Sequence, residues 1–397
     1  MEGEEYTGEE EFVDEEEIGE EVVLPDDLPP PDEEPENNDA SNPDDMDHEL
    51  TIPDTSLAKF THHTDSVFSV SINPKAPNVV CSGGCDDLAY VFDLSQPKGQ
   101  PLVLSGHKDS VTQVLFSPTD ALLATASLDA TCKIWSGNGT LLHTLEGPSE
   151  SIESIVWHSK GPILFAGGGD GLGWMWNALQ GKVMNVFSGH SAAINTAKFT
   201  PEGKKILTAS DDGTVRVWDP KSAQSLHIFK AGFGSSVQFH SEAVTALVCM
   251  GDNDEAGIAV TGGTDGRSVI LNYNSGKLMG AFTGHSKSVE SITFCKSHPF
   301  VITCSLDKSI QVWDLNTQQV RSTMQHSDGV MKVSSCSNPH LVISGSLDKS
   351  LCLWDVRSGQ SVQKFTGHTD HILDFDTFNN LLVSSSDDKT VRYWNLY

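Results

Sequence analysis

Lysine and arginine are absent from the first 54 residues, which hold 24 of the chain's 55 acidic side chains. That segment is rich in proline and poor in apolar residues, with runs such as Glu9-Glu10-Glu11 and Asp14-Glu15-Glu16-Glu17. It cannot bury enough apolar area to offset the entropy of ordering, so residues 1–54 are expected to be a disordered acidic tail. No stretch of eighteen apolar residues occurs, so no membrane-spanning helix is expected. No basic n-region followed by an apolar h-region stands at the front, so no secretory signal is expected either. The eight cysteines lack any CxxC pair. Cys81 and Cys85 have no further ligands at metal-binding spacing, so no metal or other cofactor is expected, and the thiols point to the cytosol or nucleus. A basic stripe is missing too, which argues against nucleic acid, and the negative balance argues against an anionic membrane surface. Gly167-Gly168-Gly169-Asp170-Gly171 falls between two strand patterns and reads as a hairpin, not as a phosphate loop.

What is present is a repeat. Asp86, Asp129, Asp170, Asp212, Asp265, Asp307, Asp348 and Asp388 are spaced by 43, 41, 42, 53, 42, 41 and 40 residues. Six residues after each stands Phe92, Trp135, Trp176, Trp218, Leu271, Trp313, Trp354 or Trp394. Each unit offers four short runs rich in Val, Ile, Leu, Thr and Phe, bounded by Gly, Ser, Asn and Asp. This is the pattern of a propeller blade. The expected fold is all-β: an eight-bladed propeller over 55–397.

Each unit also carries a His (His63, His107, His190, His240, His285, His326, His368), with Pro148 in that place in unit three. A Ser or Thr stands four residues before the Asp in seven units, and unit three has Ala166 there. Indole to hydroxyl, hydroxyl to imidazole and imidazole to carboxylate would link neighbouring strands of one blade. Five units hold the complete set: His107, Thr125, Asp129 and Trp135; His190, Thr208, Asp212 and Trp218; His285, Thr303, Asp307 and Trp313; His326, Ser344, Asp348 and Trp354; His368, Ser384, Asp388 and Trp394. The His, hydroxyl and Asp trios resemble a hydrolase triad, but a nucleophile needs one special site and these recur in unit after unit. They read as structural, and no enzyme is expected.

Ring closure is legible as well. The chain ends after the third strand of unit eight, while Ser56-Leu57-Ala58-Lys59-Phe60 matches Ser361-Val362-Gln363-Lys364-Phe365. Residues 55–60 are therefore expected to supply the outer strand of the last blade and remove the open seam. Unit five is longer by Ala231–Phe239, a connection expected to protrude on the face of the histidine turns.

That face is where partners are expected. Two residues past each His stand Asp65, Asp109, Glu150 (counted from Pro148), Ala192, Glu242, Lys287, Asp328 and Asp370. An acid there also stabilises the turn. Five residues past the His, at the channel mouth, stand Glu153 and Glu290 with Phe68, Met331 and Leu373, and Asp374 follows the last. Carboxylates among apolar groups suit a basic, partly apolar peptide. The expected partner-binding set is Glu153, Glu290, Asp109, Glu150, Asp65, Asp370, Asp374 and Phe68.

Gly-His at 106/107, 189/190, 284/285 and 367/368, with Trp-Asp at 218/219, 313/314 and 354/355, resembles the WD-repeat proteins over 56–397. The acidic leader resembles, more narrowly, that of the angio-associated migratory cell protein family. So do His63–Phe68, Cys81–Ala89, Ser151–Trp157 and Ser288–Ile292. Fungal members of that family are dedicated chaperones of one newly made large-subunit ribosomal protein, whose basic N-terminal segment they hold on an acidic propeller face. The resemblance implies an escort in ribosome biogenesis, a monomer, with Glu153 and Glu290 facing the client. The leader would then raise the anionic field or compete for that face. A general interaction scaffold, such as a ubiquitin-ligase substrate receptor or a signalling platform, is the other reading. It predicts binding that survives high salt.

Overall fold

The computed structural model describes residues 53–96, 99–232, 237–251 and 253–397. The tail expected over 1–54 lies outside the described residues except for Pro53 and Asp54, and so do residues 233–236 of the long connection in unit five. Among the described residues there are eight four-stranded antiparallel sheets and no helix. Blade two shows the plan: Val111–Phe116 innermost, then Leu122–Ser127, Cys132–Ser136 and the outer Leu141–Leu145.

The last blade joins both ends of the described chain. Ala58–Phe60 pairs with Val391–Asn395, which continues into Leu381–Ser386 and Ile372–Phe378. Phe60 faces Val391 and Ala58 faces Tyr393, as Phe365 faces Leu351 and Gln363 faces Leu353 one blade earlier. The outer strand expected from residues 55–60 is therefore in place, with three residues in the ladder.

Alternation with period two sends successive side chains of a strand to opposite seams. In blade four, Val215 and Val217 pack with Phe229, Val244, Leu247 and Leu271 toward blade five. Trp218 packs with Phe165, Met175, Phe187 and Ile206 toward blade three. Side chains buried this fully each cost about 3–5 kcal/mol when an aromatic is cut back to Ala, so the seams hold the ring together.

The recurrent Asp is explained by the turn between the second and third strands. The residue after it is left-handed in all eight blades: Asp87, Ala130, Gly171, Gly213, Gly266, Lys308, Lys349 and Lys389. Its carboxylate accepts the N–H two residues on, as in Thr131 N–H to Asp129 (2.9 Å) and Ser309 N–H to Asp307 (2.9 Å). This side-chain turn offsets the roughly 1–2 kcal/mol that a non-glycine residue loses in that conformation.

Every inner strand carries one bulge near the histidine-turn end, between Val67/Ser69, Val111/Gln113, Ile152/Ser154, Ile194/Thr196, Val244/Ala246, Val289/Ser291, Val330/Lys332 and Ile372/Asp374. Beyond the bulge the inner edge faces the channel, and several of its amides are met by side chains of the blade before. Asp374 accepts Val70 N–H (3.0 Å), Asp376 accepts Ile72 N–H (2.8 Å) and Gln113 accepts Ile155 N–H (2.6 Å). An edge that would otherwise be open to pairing is closed in this way.

Candidate functional site

The polar chains within the blades form as their residue types dictate. In blade two, Trp135 Nε1–H donates to Thr125 (3.0 Å), His107 Nε2 meets that hydroxyl (2.8 Å) and its Nδ1 meets Asp129 (3.0 Å). In blade four, Trp218 Nε1–H donates to Thr208 (2.8 Å), and His190 lies between Thr208 (2.8 Å) and Asp212 (2.9 Å). In blade six, Trp313 Nε1–H donates to Thr303 (2.9 Å), and His285 lies between Thr303 (2.7 Å) and Asp307 (2.9 Å). In blade seven, Trp354 Nε1–H donates to Ser344 (2.8 Å), and His326 lies between Ser344 (2.8 Å) and Asp348 (2.9 Å). Blades one and five keep the trios His63/Ser82/Asp86 and His240/Thr261/Asp265. Burial works against ionisation of Asp129 and Asp212. Bonds from Thr131 or Thr214, a backbone N–H and the histidine outweigh it and hold both carboxyls at about 2. Burial also keeps His107, His190, His285 and His368 below the ordinary histidine range, against the pull of their aspartates.

Blade eight departs from the expected set. His368 bonds Ser384 (2.8 Å) and Asp388 (2.8 Å), but Trp394 Nε1–H donates to Thr55 at 3.2 Å and not to Ser384. The reason is the closing segment, which brings a threonine hydroxyl to the indole where the other blades have none. In blade three, which lacks both His and hydroxyl, Trp176 Nε1–H is buried without an acceptor.

The residues five past each His, or past Pro148 in unit three, are the eight bulge residues: Phe68, Thr112, Glu153, Asn195, Thr245, Glu290, Met331 and Leu373. A bulge re-aims its side chain, here onto the rim of the channel. Phe68, Glu153, Leu373 and Asp374 come together around a cavity of about 270 Å³, which Val70, Leu115, Gln113 and Lys332 also line. Glu153 is exposed and accepts only Ser151 Oγ–H (2.5 Å). Glu290 holds the same bulge position three blades on, outside this cavity, and is half-buried. Asp374 differs from the rest. Its carboxylate is already bonded to Val70 N–H, Ser69 Oγ–H (3.2 Å) and the Lys332 ammonium (2.6 Å), so it holds the wall of the mouth.

The acids two past the His serve their turns and still face water. Asp65, Asp109, Asp328 and Asp370 each accept the following N–H at 2.7–2.9 Å. They are not equivalent in charge. Lys308, Lys349 and Lys389 reach across the seam to the carbonyls of Ser327, Thr369 and Thr64 (2.8–2.9 Å). Lys308 thereby comes within 3.6 Å of Asp328, and Lys389 within 3.9 Å of Asp65. Asp370 has His371 at 3.9 Å. Among the described residues Asp109 and Glu150 have no cation within ion-pair distance, and the preceding turns offer Asp87 and Ala130 in place of lysine. The acids of blades two and three, beside Glu153, are thus left without a balancing cation, as is Glu242 of blade five, which accepts Thr264 Oγ1–H (3.0 Å).

Offsets within a unit could not reveal Lys332, Gln113 or Asp376, whose roles depend on the neighbouring blade. The Lys after the Asp in units six to eight was the one visible sign of the cross-seam lysines. The long connection of unit five returns inward at its described end, where Phe239 is buried against Phe229 and His240.

The sequence profile of the family "WD domain, G-beta repeat" matches 54–93, 99–136, 139–177, 181–219, 276–314, 317–355 and 359–395. Blade five, with Leu271 for Trp and the longest connection, falls between two matches. The angio-associated migratory cell protein of Homo sapiens is 31% identical over 358 residues, covering 86% of this chain and 80% of that protein. An uncharacterized WD repeat-containing protein of Schizosaccharomyces pombe is 32% identical over 332 residues, 81% of each chain. Among solved structures, Sqt1 of Chaetomium thermophilum bound to the N-terminus of the ribosomal protein L10 superposes with a TM-score of 0.78 at 22% identity, covering 86% of this chain and 100% of that one. Sqt1 of Saccharomyces cerevisiae gives 0.77 at 21%, covering 87% and 99%. Likeness at that identity establishes the fold. The repeat matches and the curated relatives establish more: the chain belongs to the WD-repeat proteins and, among them, to the angio-associated migratory cell protein family.

Proposed function

We propose that this protein is a non-enzymatic escort for a basic ribosomal protein of the large subunit, of the L10 kind, whose N-terminal segment it holds at the channel mouth. The observation that carries the reading is the bulge-built mouth. Glu153 stands exposed on a cavity of about 270 Å³ that Phe68 and Leu373 also line. A Lys or Arg side chain can lay its aliphatic stem on those apolar groups and present its charge to the carboxylate. Asp109 and Glu150, which lack a cation partner, extend the same negative arc. The Sqt1 complex with the N-terminus of L10, on the same fold, supports the choice of client. Capture would shield the client from RNA and other polyanions, with fast association that weakens as salt rises. The eight free thiols fit a reducing compartment, cytosol or nucleus, and the ring would act as a single copy.

The test is titration of a synthetic basic N-terminal peptide of L10 against the full chain at rising salt, repeated with Glu153→Lys/Glu290→Lys. The expected result is steep salt dependence and a loss of at least about ten-fold in affinity in the double variant, with an unchanged melting temperature. Equal binding by the double variant overturns the assignment of the mouth. Binding that persists unchanged at about 0.5 M salt, where exposed charges are screened, favours the general scaffold.

A further inference from the structure

We propose that the seam between blades three and four is a second docking site, a notch for an extended acidic segment of a partner protein. The warrant is that the molecule fills the equivalent notch of another seam with its own chain. Between blades seven and eight, residues 53–56 lie across Thr366 and Gly367. Thr55 N–H donates to Thr366 C=O (2.8 Å), Thr366 N–H donates to Thr55 Oγ1 (3.0 Å), and Thr366 Oγ1–H donates to Pro53 C=O (2.6 Å). The Asp54 carboxylate sits on the Arg392 guanidinium, which also reaches Ser56 Oγ (3.2 Å). Arg392 is two residues before the blade tryptophan, opposite Ser384 of the second strand and Lys59 of the outer strand.

Blade four repeats the guanidinium and the turn of this receiving half without an occupant among the described residues, while its indole N–H is taken by Thr208. Ser188-Gly189-His190 stands where Thr366-Gly367-His368 does. Arg216 stands opposite Thr208 and Ile228, in the register of Arg392, and against Gly189 as Arg392 is against Gly367. Its guanidinium lies over Trp218, 5.7 Å from the ring centroid, and makes no hydrogen bond or ion pair among the described residues, whereas that of Arg392 holds Asp54; the Nε of both arginines is buried without an acceptor there. Ser188 is exposed, and among the described residues its N–H, C=O and hydroxyl have no hydrogen-bond partner. Arginine occupies this row in blades four and eight only. In blade two the residue is Lys133, bonded to Thr144, and in blade six it is Gln311, bonded to Gly284 C=O.

A planar guanidinium held in place on an indole selects a carboxylate. The free Ser188 groups select an extended backbone that carries the carboxylate across the seam. The ligand is therefore a short acidic stretch of the Pro-Asp-Thr-Ser type, presented in trans. The notch uses none of the residues of the mouth cavity, so it stands apart from the client reading.

The experiment is fluorescence anisotropy of a labelled, acetylated hexapeptide Pro-Asp-Thr-Ser-Leu-Ala on the full chain. Saturable binding is expected, weakened by about ten-fold or more when the peptide Asp is replaced by Asn and when the protein carries Arg216→Gln. Ser188→Pro, which removes the free N–H at an exposed position, is expected to weaken it as well. The melting temperature and the mouth's affinity for a basic peptide should stay at wild-type values in both variants. No binding by the wild type up to about 1 mM overturns the proposal. So does equal binding by Arg216→Gln, which would mean that the peptide displaces residues 53–58 at the other seam.

Discussion

The orphan indole of blade three allows a stabilising substitution to be designed from the other blades. Trp176 is 1% exposed and its Nε1–H has no acceptor, because Ala166 replaces the Ser or Thr that the indoles of blades two, four, six and seven reach at 2.8–3.0 Å. Ala166→Ser or Ala166→Thr restores that acceptor. Pro148 leaves no imidazole for the new hydroxyl to meet, so its proton must go to a backbone carbonyl. Blades five and seven show that one lies within reach: Thr261 Oγ1 is 3.3 Å from Val269 C=O and Ser344 Oγ is 3.5 Å from Cys352 C=O, each eight residues on. The equivalent carbonyl here is that of Trp174. Satisfying a buried donor recovers part of a desolvation penalty of about 1–3 kcal/mol, so a net gain of roughly 1 kcal/mol is expected. In a chain of this size the gain amounts to about 2 °C or less in Tm, so the denaturant midpoint is the better readout. Ala166→Val is the control, since it has the shape of Thr without the acceptor. The Thr variant should exceed the Val variant by about 1 kcal/mol. Identical midpoints for the two would refute the reasoning that the indole is short of a partner.

Asp307→Ala should lower stability by roughly 1–3 kcal/mol, because it strips the buried His285 of its acceptor, and leave basic-peptide capture intact in the same preparation. Stability should also fall as pH drops below about 6.5. His107, His190, His285 and His368 are held below their ordinary range in the fold, so the unfolded chain takes up protons that the native ring refuses, and the slope continues until the native histidines titrate. A second loss should follow toward about pH 2, as carboxyls with depressed values such as Asp129 and Asp212 are protonated. A Tm flat from pH 7 to 5 would contradict the first of these two steps.

The fold was legible because it is written in offsets: Asp to Trp, His to Asp, and Ser56–Phe60 against Ser361–Phe365 all recur at fixed distances. Thr303 and its counterparts Thr125, Thr208 and Ser344 could be assigned from those offsets alone, since all their partners lie within one blade. The rim was legible for the same reason, since the position five past the His is the bulge residue in all eight inner strands. What escaped were contacts set by the next blade. Asp374 reads as a free carboxylate from its neighbours in sequence, yet its partners are Val70, Ser69 and Lys332, contributed by the blades on either side. Thr55 stands just outside the matched segment, so nothing in the repeat announced that it would accept the N–H of Trp394 in place of Ser384. The lysines over the seams were visible as residue types, but their targets lie 19–20 residues on in two cases, and for Lys389 in the first blade, 325 residues back in the chain.

The composite last blade has a temporal consequence. The mouth draws Phe68 from the first blade and Leu373 to Asp376 from the eighth, so its walls come from segments made early and late in synthesis. A ribosome-bound chain that has emerged only through blade seven lacks the Leu373, Asp374 and Asp376 side of the cavity, whatever its blades have achieved locally. On the proposed reading, the mouth is completed in one step, when the final strands are released and Ala58–Phe60 finds Val391–Asn395. If the mouth holds a client as proposed, a half-made copy would leave that cargo free.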